Sequence, residues 1–169
     1  MCVNVSIVPC PNYEPDTARK ALAAVLEPLG GLDWVKPGMK IAVKANLVAR
    51  MKPETAAATH PALVTELCRM LTERGAEVVV GDSPGGPFTA AWVGSIYTGT
   101  GMRAVEAAGA QLNSDYSTSE VSFPEGNTVK SFPYTAWLEK ADAVIDFAKL
   151  KTHAMAGMTC AVKNFFGVI

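Results

Sequence analysis

Apolar residues follow two alternating rhythms along the chain. Short apolar runs at Val3–Val8, Lys40–Val48, Glu77–Gly81 and Ala143–Leu150 predict strands. Between them, apolar positions recur at helical spacing. Ala18, Leu22, Val25, Leu26 and Leu29 form one stripe, and Leu63, Val64, Leu67, Met70 and Leu71 another. Asp16 or Thr17 is placed to cap the first helix, and Pro28, Gly30 and Gly31 end it. Thr59 or His60 opens the second, with Pro61 in its first turn and Gly75 as its stop. The second, third and last strands are apolar on both faces, the pattern of a buried parallel sheet.

The rest of the chain carries shorter signals. Thr100–Gly109 reads as a short helix and Gln111–Asp115 as a short strand. Glu120–Pro124 and Thr128–Tyr134 flank Glu125-Gly-Asn127 and predict a β-hairpin at a sheet edge. A short helix over Thr135–Lys140 precedes the last strand, and Thr159–Phe166 is helix-compatible. The segment from Asp82 to Thr100 shows no regular pattern. Strands alternating with helices predict an α/β class: a doubly wound, mostly parallel sheet with right-handed crossovers and helices on its flanks, Rossmann-like, with a small β-hairpin near residues 120–134. No repeat or linker divides the chain, so residues 1–169 read as one α/β domain.

Composition narrows the class. The 169 residues are 49% hydrophobic and 18% charged, which excludes a disordered chain. Net charge is −1, with 15 basic and 16 acidic residues, so global charge points to neither nucleic acid nor membrane. No apolar stretch approaches the roughly 18–20 residues of a membrane span, and the N-terminus lacks the basic region of a signal peptide. Cys2, Cys10, Cys68 and Cys160 are scattered, without the spacing of a zinc or iron–sulfur site. A reduced, cytoplasmic protein is the simplest reading.

In a sheet of this kind ligands bind beyond the carboxyl ends of the strands. Three unusual connections leave those ends: Ala49–Ala58, then Asp82-Ser-Pro-Gly-Gly-Pro87 onward, then Lys149-Leu-Lys-Thr-His153 onward. They exceed the usual length of about 2–6 residues. Together Lys44–His60, Asp82–Thr100 and Lys149–Lys163 hold six basic and two acidic residues, a net +4 against −5 in the remainder. Both histidines fall inside them. Such a rim would attract an anion, helped by the helix N-termini there.

Lys44 and Asn46 lie two apart near a strand end and share a face, directing a cation and an amide at the crevice. A strand-end lysine that snorkels to water is the plainer alternative. Asp82, Ser83 and Gly85 sit in a loop that is neither a Walker loop nor a dinucleotide fingerprint. It offers a carboxylate and a close backbone approach, or simply a turn capped by Asp82. Lys149, Lys151 and His153 alternate, so an extended chain would aim all three the same way. His60 either belongs to the site or only caps its helix. Two histidines with Asp82 could ligate a metal, but no local spacing requires one, and no metal site is assigned.

Five motifs occur in order: Lys44-x-Asn46-Leu47, Thr59-His-Pro61, Gly81-Asp-Ser-Pro-Gly85, Lys149-Leu-Lys-Thr-His153 and Lys163-Asn-Phe-Phe-Gly167. In these the chain resembles the Domain of Unknown Function 362 family. The resemblance implies an iron–sulfur association, since many members carry a ferredoxin-like segment of grouped cysteines. This sequence has no such group, and it ends directly after the fifth motif, where members usually continue. It therefore reads as a truncated domain, incomplete at its C-terminus.

These observations support binding of a small carboxylate or phosphate, as the substrate-binding part of an enzyme. His153, Lys151 and Asp82 are the candidate catalytic groups. Lys44, Asn46, Thr59, His60, Ser83, Gly85, Lys149, Thr152, Lys163 and Asn164 are the candidate ligand contacts. One alternative is a redox module whose four-iron four-sulfur cluster lies in a missing segment or a ferredoxin-like partner. The other is a non-catalytic binding module. No cofactor is evident in this chain, neither nucleic acid nor membrane is expected as a partner, and exposed apolar surface would favour a homo-oligomer.

Overall fold

The computed structural model describes residues 4–168. Its centre is a parallel sheet of four strands: β1 (Lys40–Ala45), β2 (Glu77–Gly81), β3 (Gln111–Leu112) and β6 (Ala143–Phe147), in the order β3-β2-β1-β6. Two small antiparallel hairpins stand apart from it. One pairs β4 (Thr118–Ser122) with β5 (Ser131–Thr135), and the other pairs β7 (Lys151–His153) with β8 (Gly157–Thr159). The four helices are α1 (Pro15–Leu26), α2 (Pro61–Thr72), α3 (Ala90–Gly99) and α4 (Ala161–Phe165). The expected α/β, doubly wound architecture is present. Strand order reverses at β1, which pairs with β2 on one side and β6 on the other. Ligand crevices form at such a switch point.

Alternation along the strands sorts the two faces. Ile41, Val43 and Ala45 of β1 join Val78 and Val80 of β2 and the α2 residues Val64, Leu67, Cys68 and Leu71 in one core. α3 and the 3-10 turn over Met102–Ala108 extend it through Val93, Ile96, Met102 and Val105. The opposite face carries Ala42, Lys44 and Asp146. Register sets Lys44 between Gly81 and Asp146. A Cβ on Gly81 would lie 2.8 Å from the Trp137 ring and 2.9 Å from Asn113, so only glycine lets these groups close over this face.

The structure departs from the sequence pattern in several places. Residues 4–10 form no strand, and Val5 and Ile7 are 78% and 89% exposed. Val3 lies outside the described residues. Apolarity makes a strand only where a neighbour can pair with it, and Pro9 and Pro11 remove two backbone donors. The segment after Asp82 contains α3. Its near-uniform small and apolar composition hides the helical period, although Val93, Ile96 and Tyr97 are buried at helical spacing and the Thr89 hydroxyl accepts from the Trp92 amide. The last strand ends at Phe147 and is only half-buried, because β6 is an edge strand. α1 starts at Pro15 after Glu14, without a side-chain cap. The outer hairpin strands sit a few residues from their expected bounds.

At α2 the expected start is present: Pro61 is the first helical residue and His60 the cap. His60 Nδ1 accepts from the Ala62 amide at 3.3 Å, and its ring stacks on Tyr13 with centroids 3.5 Å apart. Burial, then nearby Lys149, holds the His60 imidazolium below its ordinary range. The unfolded chain therefore binds the extra proton more readily, and stability falls as pH drops through about 6.5. Protonation also removes the lone pair that caps the helix. We expect His60→Ala to cost about 0.5–2 kcal/mol in urea unfolding at neutral pH. His60→Asn keeps a cap and should lose less stability than wild type between pH 7.5 and 5.5; an equal loss would refute this account.

Candidate functional site

The side chains at the carboxyl ends of β1 and β2 belong to one buried polar network. Lys44 has no solvent exposure, yet carries an ammonium, so its charge requires a partner. Its Nζ lies 2.5 Å from Asp82 Oδ1 and donates to the Ala45 carbonyl at 2.9 Å. Asp82 Oδ2 accepts from the Leu47 amide at 2.7 Å. Oδ2 is thus hydrogen-bonded, whereas buried Oδ1 is held by the charge of Lys44 alone. Burial pushes the Asp82 carboxyl up, against the opposing pull of Lys44 and of the Leu47 and Ser83 amides.

Asn164 of α4 joins this pair to β6. The Asp146 carboxylate can only accept, so Asn164 turns its Nδ2 toward it, at 2.6 Å. Asn164 Oδ1 then faces Lys44 Nζ at 3.4 Å and accepts from Asn46 Nδ2 at 2.9 Å. Asn46 is thereby fixed as well, and its Oδ1 is left buried without a donor. Burial raises the Asp146 carboxyl, partly offset by Asn164. The Gly167 carbonyl accepts from the Ser83 amide at 3.2 Å. A Cβ on Gly167 would approach Asp82 Oδ1 to 3.3 Å, so this position favours the smallest residue.

Above the network lies a cavity of about 290 Å³. β1 and its exit supply Asn46 and Val48, and the loop after β2 supplies Asp82, Ser83, Pro84 and Gly85. The hairpin β7–β8 adds Lys151, His153 and Thr159, and the C-terminal segment adds Lys163, Asn164 and Gly167. Register pairs Lys151 with Thr159 across that hairpin. Val48 holds φ +59, a conformation that costs a β-branched residue about 1–3 kcal/mol and that often marks functional sites.

Lys151 Nζ donates to the Ala57 carbonyl at 2.5 Å, which ties the hairpin to the loop between β1 and α2. Burial, with Lys163 and Lys149 adding repulsion, lowers the Lys151 ammonium below its ordinary range. Lys163 lies 6.0 Å from the Phe166 ring centroid. Among the described residues no carboxylate pairs with Lys151 or Lys163. His153 Nδ1 accepts from the Met155 and Ala156 amides at 3.2 and 3.1 Å, which makes Nε2–H the ring's donor. The hydroxyls of Ser83 and Thr159 are buried without partners.

Eight of the residues singled out from the sequence thus line one cavity: Asn46, Asp82, Ser83, Gly85, Lys151, His153, Lys163 and Asn164. Lys44 lies behind the lining, spent on Asp82. Thr59 is a strut: its hydroxyl donates to the Phe147 carbonyl at 2.8 Å and accepts from the Asn46 amide at 2.9 Å. His60 caps α2, outside the cavity. Lys149 precedes β7 and is not part of the lining, and Thr152 points outward from the hairpin. The alternation therefore aligns Lys151 and His153 but not Lys149.

Sequence reasoning passed over Asp146, Val48, Thr159 and Gly167. Asp146 carried the same signal as Lys44, a charge inside an apolar strand. Thr159 carried none. Wider depressions of about 390 and 620 Å³ lie elsewhere. The first opens at the starts of β1 and β2 and the second beside α1, away from the switch point.

Among the described residues no group of three or more His, Cys, Asp or Glu is placed to hold a metal ion. Nor do the described cysteines fit an iron–sulfur cluster. Cys68 is buried in the core, where desolvation pushes its thiol up to about 12, while Cys10 and Cys160 occupy the N-terminal segment and the start of α4. No helix among these residues is long and apolar enough to cross a membrane.

Comparison with known proteins agrees with the motif pattern. The model of the family described as "Domain of unknown function (DUF362)" matches residues 41–169. The chain is 31% identical over 175 residues to the "Thylakoid-associated protein sll1697" of Synechocystis sp. (strain ATCC 27184 / PCC 6803 / Kazusa). That alignment takes in 100% of this chain but 51% of the relative, so the chain spans about half the relative's length. No solved structure matches.

The buried pair has a measurable signature. Lys44→Met strands the Asp82 carboxylate and should cost about 3–5 kcal/mol in urea unfolding. Lys44→Met with Asp82→Asn removes both charges and should recover part of that loss, giving a coupling of about 0.5–3 kcal/mol. Additive losses would show that the two groups do not interact.

Proposed function

The chain belongs to the DUF362 family, and we propose that it binds a small oxyanion, a carboxylate or a phosphate, in the cavity at the carboxyl ends of β1 and β2. The observation that carries this reading is a pair of lysines, Lys151 and Lys163, without carboxylate partners, around buried hydroxyls without hydrogen bonds. Lys44, behind the lining, offsets Asp82, so on this reading Lys151 and Lys163, neither paired with a carboxylate, outweigh the one carboxylate of the lining. A buried hydroxyl without a partner is costly, and an anionic oxygen would satisfy it. His153 would donate through Nε2–H, and it is the group best suited to proton transfer if binding leads to reaction. Asp82, already engaged by Lys44 and Leu47, acts on this reading as a positioning residue. The unpaired thiols Cys10, Cys68 and Cys160 support a reducing compartment, the cytoplasm, as the place of action.

Inorganic sulfate is the cleanest probe, because its charge does not change over the relevant pH range. Calorimetric titration should show saturable binding to the wild type. Lys151→Ala and Lys163→Ala should each weaken it roughly tenfold, about 1.5 kcal/mol per charge-assisted hydrogen bond. The lowered Lys151 pKa means that its ammonium is lost below the usual lysine range. Affinity should therefore decline as pH rises toward that range, and Lys151→Arg should hold it. No binding of sulfate, phosphate or acetate by the wild type would overturn the reading.

A further inference from the structure

A second cavity, of about 270 Å³, adjoins the first across Ser83, Pro84 and Gly85, which line both. Its character is different. Phe88, Pro133, Tyr134 and Val168 share its wall with the hydroxyl residues Thr118 and Thr135, and no Lys, Arg, Asp or Glu is among its lining residues. The shared wall is held in place. Trp92 Nε1 donates to the Gly85 carbonyl at 3.1 Å, and Trp92 packs so closely on Gly86 that a Cβ there would lie 2.8 Å from Nε1. Gly85 itself has open space where a Cβ would be. Phe88 is fixed edge-on against Tyr116, with ring centroids 5.3 Å apart. Thr135, only 2% exposed, leaves its hydroxyl unpartnered beside this second cavity.

We propose that the ligand is an anion with an aromatic or apolar body. Its charged head sits between Lys151 and Lys163, and its body passes over Ser83–Gly85 into the uncharged compartment beside Phe88 and Tyr134. This deepens the anion reading and rests on it. A charged compartment beside an uncharged one walled in part by two aromatic rings fits an anion with an aromatic body better than a bare inorganic ion, because a bare ion leaves those rings without a partner. The Thr135 hydroxyl offers a single hydrogen bond to a polar substituent on the body. An aryl carboxylate or an aryl phosphate has this chemistry.

The test compares methyl sulfate with phenyl sulfate, two monoanions that share a head group and differ in body. Calorimetric titration of the whole chain should show both binding, with phenyl sulfate at least about tenfold tighter. Phe88→Ala and Tyr134→Ala should each reduce that advantage and leave methyl sulfate affinity unchanged. Tyr134 lies on the outer hairpin, so its variant is expected to fold even if loss of Phe88 disturbs the core. Equal affinity for the two esters would overturn this inference alone. An advantage that survives both substitutions would place the ring elsewhere and overturn it too. Failure of both esters to bind a protein that binds inorganic sulfate would overturn this inference alone, and failure of sulfate, phosphate and acetate as well would overturn the anion reading with it.

Discussion

The ammonium of Lys44 is wholly enclosed, and much of the molecule around it is arranged to make that enclosure tolerable. An uncompensated charge at such depth would cost several kcal/mol. Its compensation comes from three separate places: the carboxylate of Asp82 at the end of β2, the carbonyl of Ala45, and the amide oxygen of Asn164 in α4. Because these partners come from different elements, one buried charge holds the ends of β1 and β2 and the C-terminal segment together. Asn164 extends the linkage to Asp146, and so to the edge strand β6.

This arrangement has an electrostatic consequence. Asp82, itself part of the cavity lining, is offset by Lys44 behind it and still acts on Lys151, whose ammonium it favours. It also has a geometric one. The pair and the amides orient Asn46 and hold the Ser83 loop, giving the cavity floor its defined set of hydrogen-bonding groups. The strained backbone of Val48 at the rim belongs to the same picture, since such a conformation persists only where surrounding contacts impose it.

Much of the architecture was legible in the residue pattern. The runs that became β1 and β2 and the stripe of α2 are long enough, and periodic enough, for burial to dictate their state. Pro61 and Gly75 marked the ends of α2 through their own backbone restrictions. The failures share a cause. The run Val3–Val8 lacks a neighbouring strand over its described part, and α3 buries residues whose neighbours are nearly as apolar as they are. In both, the deciding term is packing against another element, which a local pattern does not contain.

For the site, the chain by itself determined which chemical groups were available and that they would gather at the carboxyl ends of the strands. Charges and amides placed in or just beyond apolar strands, such as Lys44 and Asn46, must find partners, and a parallel sheet directs them to one rim. Tertiary structure decided what each group does. Lys44 is consumed internally, His60 becomes a helix cap, Thr59 a strut, and Lys149 falls away from the face that Lys151 and His153 share. Thr159 enters the cavity only because the β7–β8 register sets it opposite Lys151. The physical reason is that ionic and hydrogen-bonding roles depend on distances of a few ångströms between residues up to 120 positions apart. Local sequence encodes the residue types but not those separations.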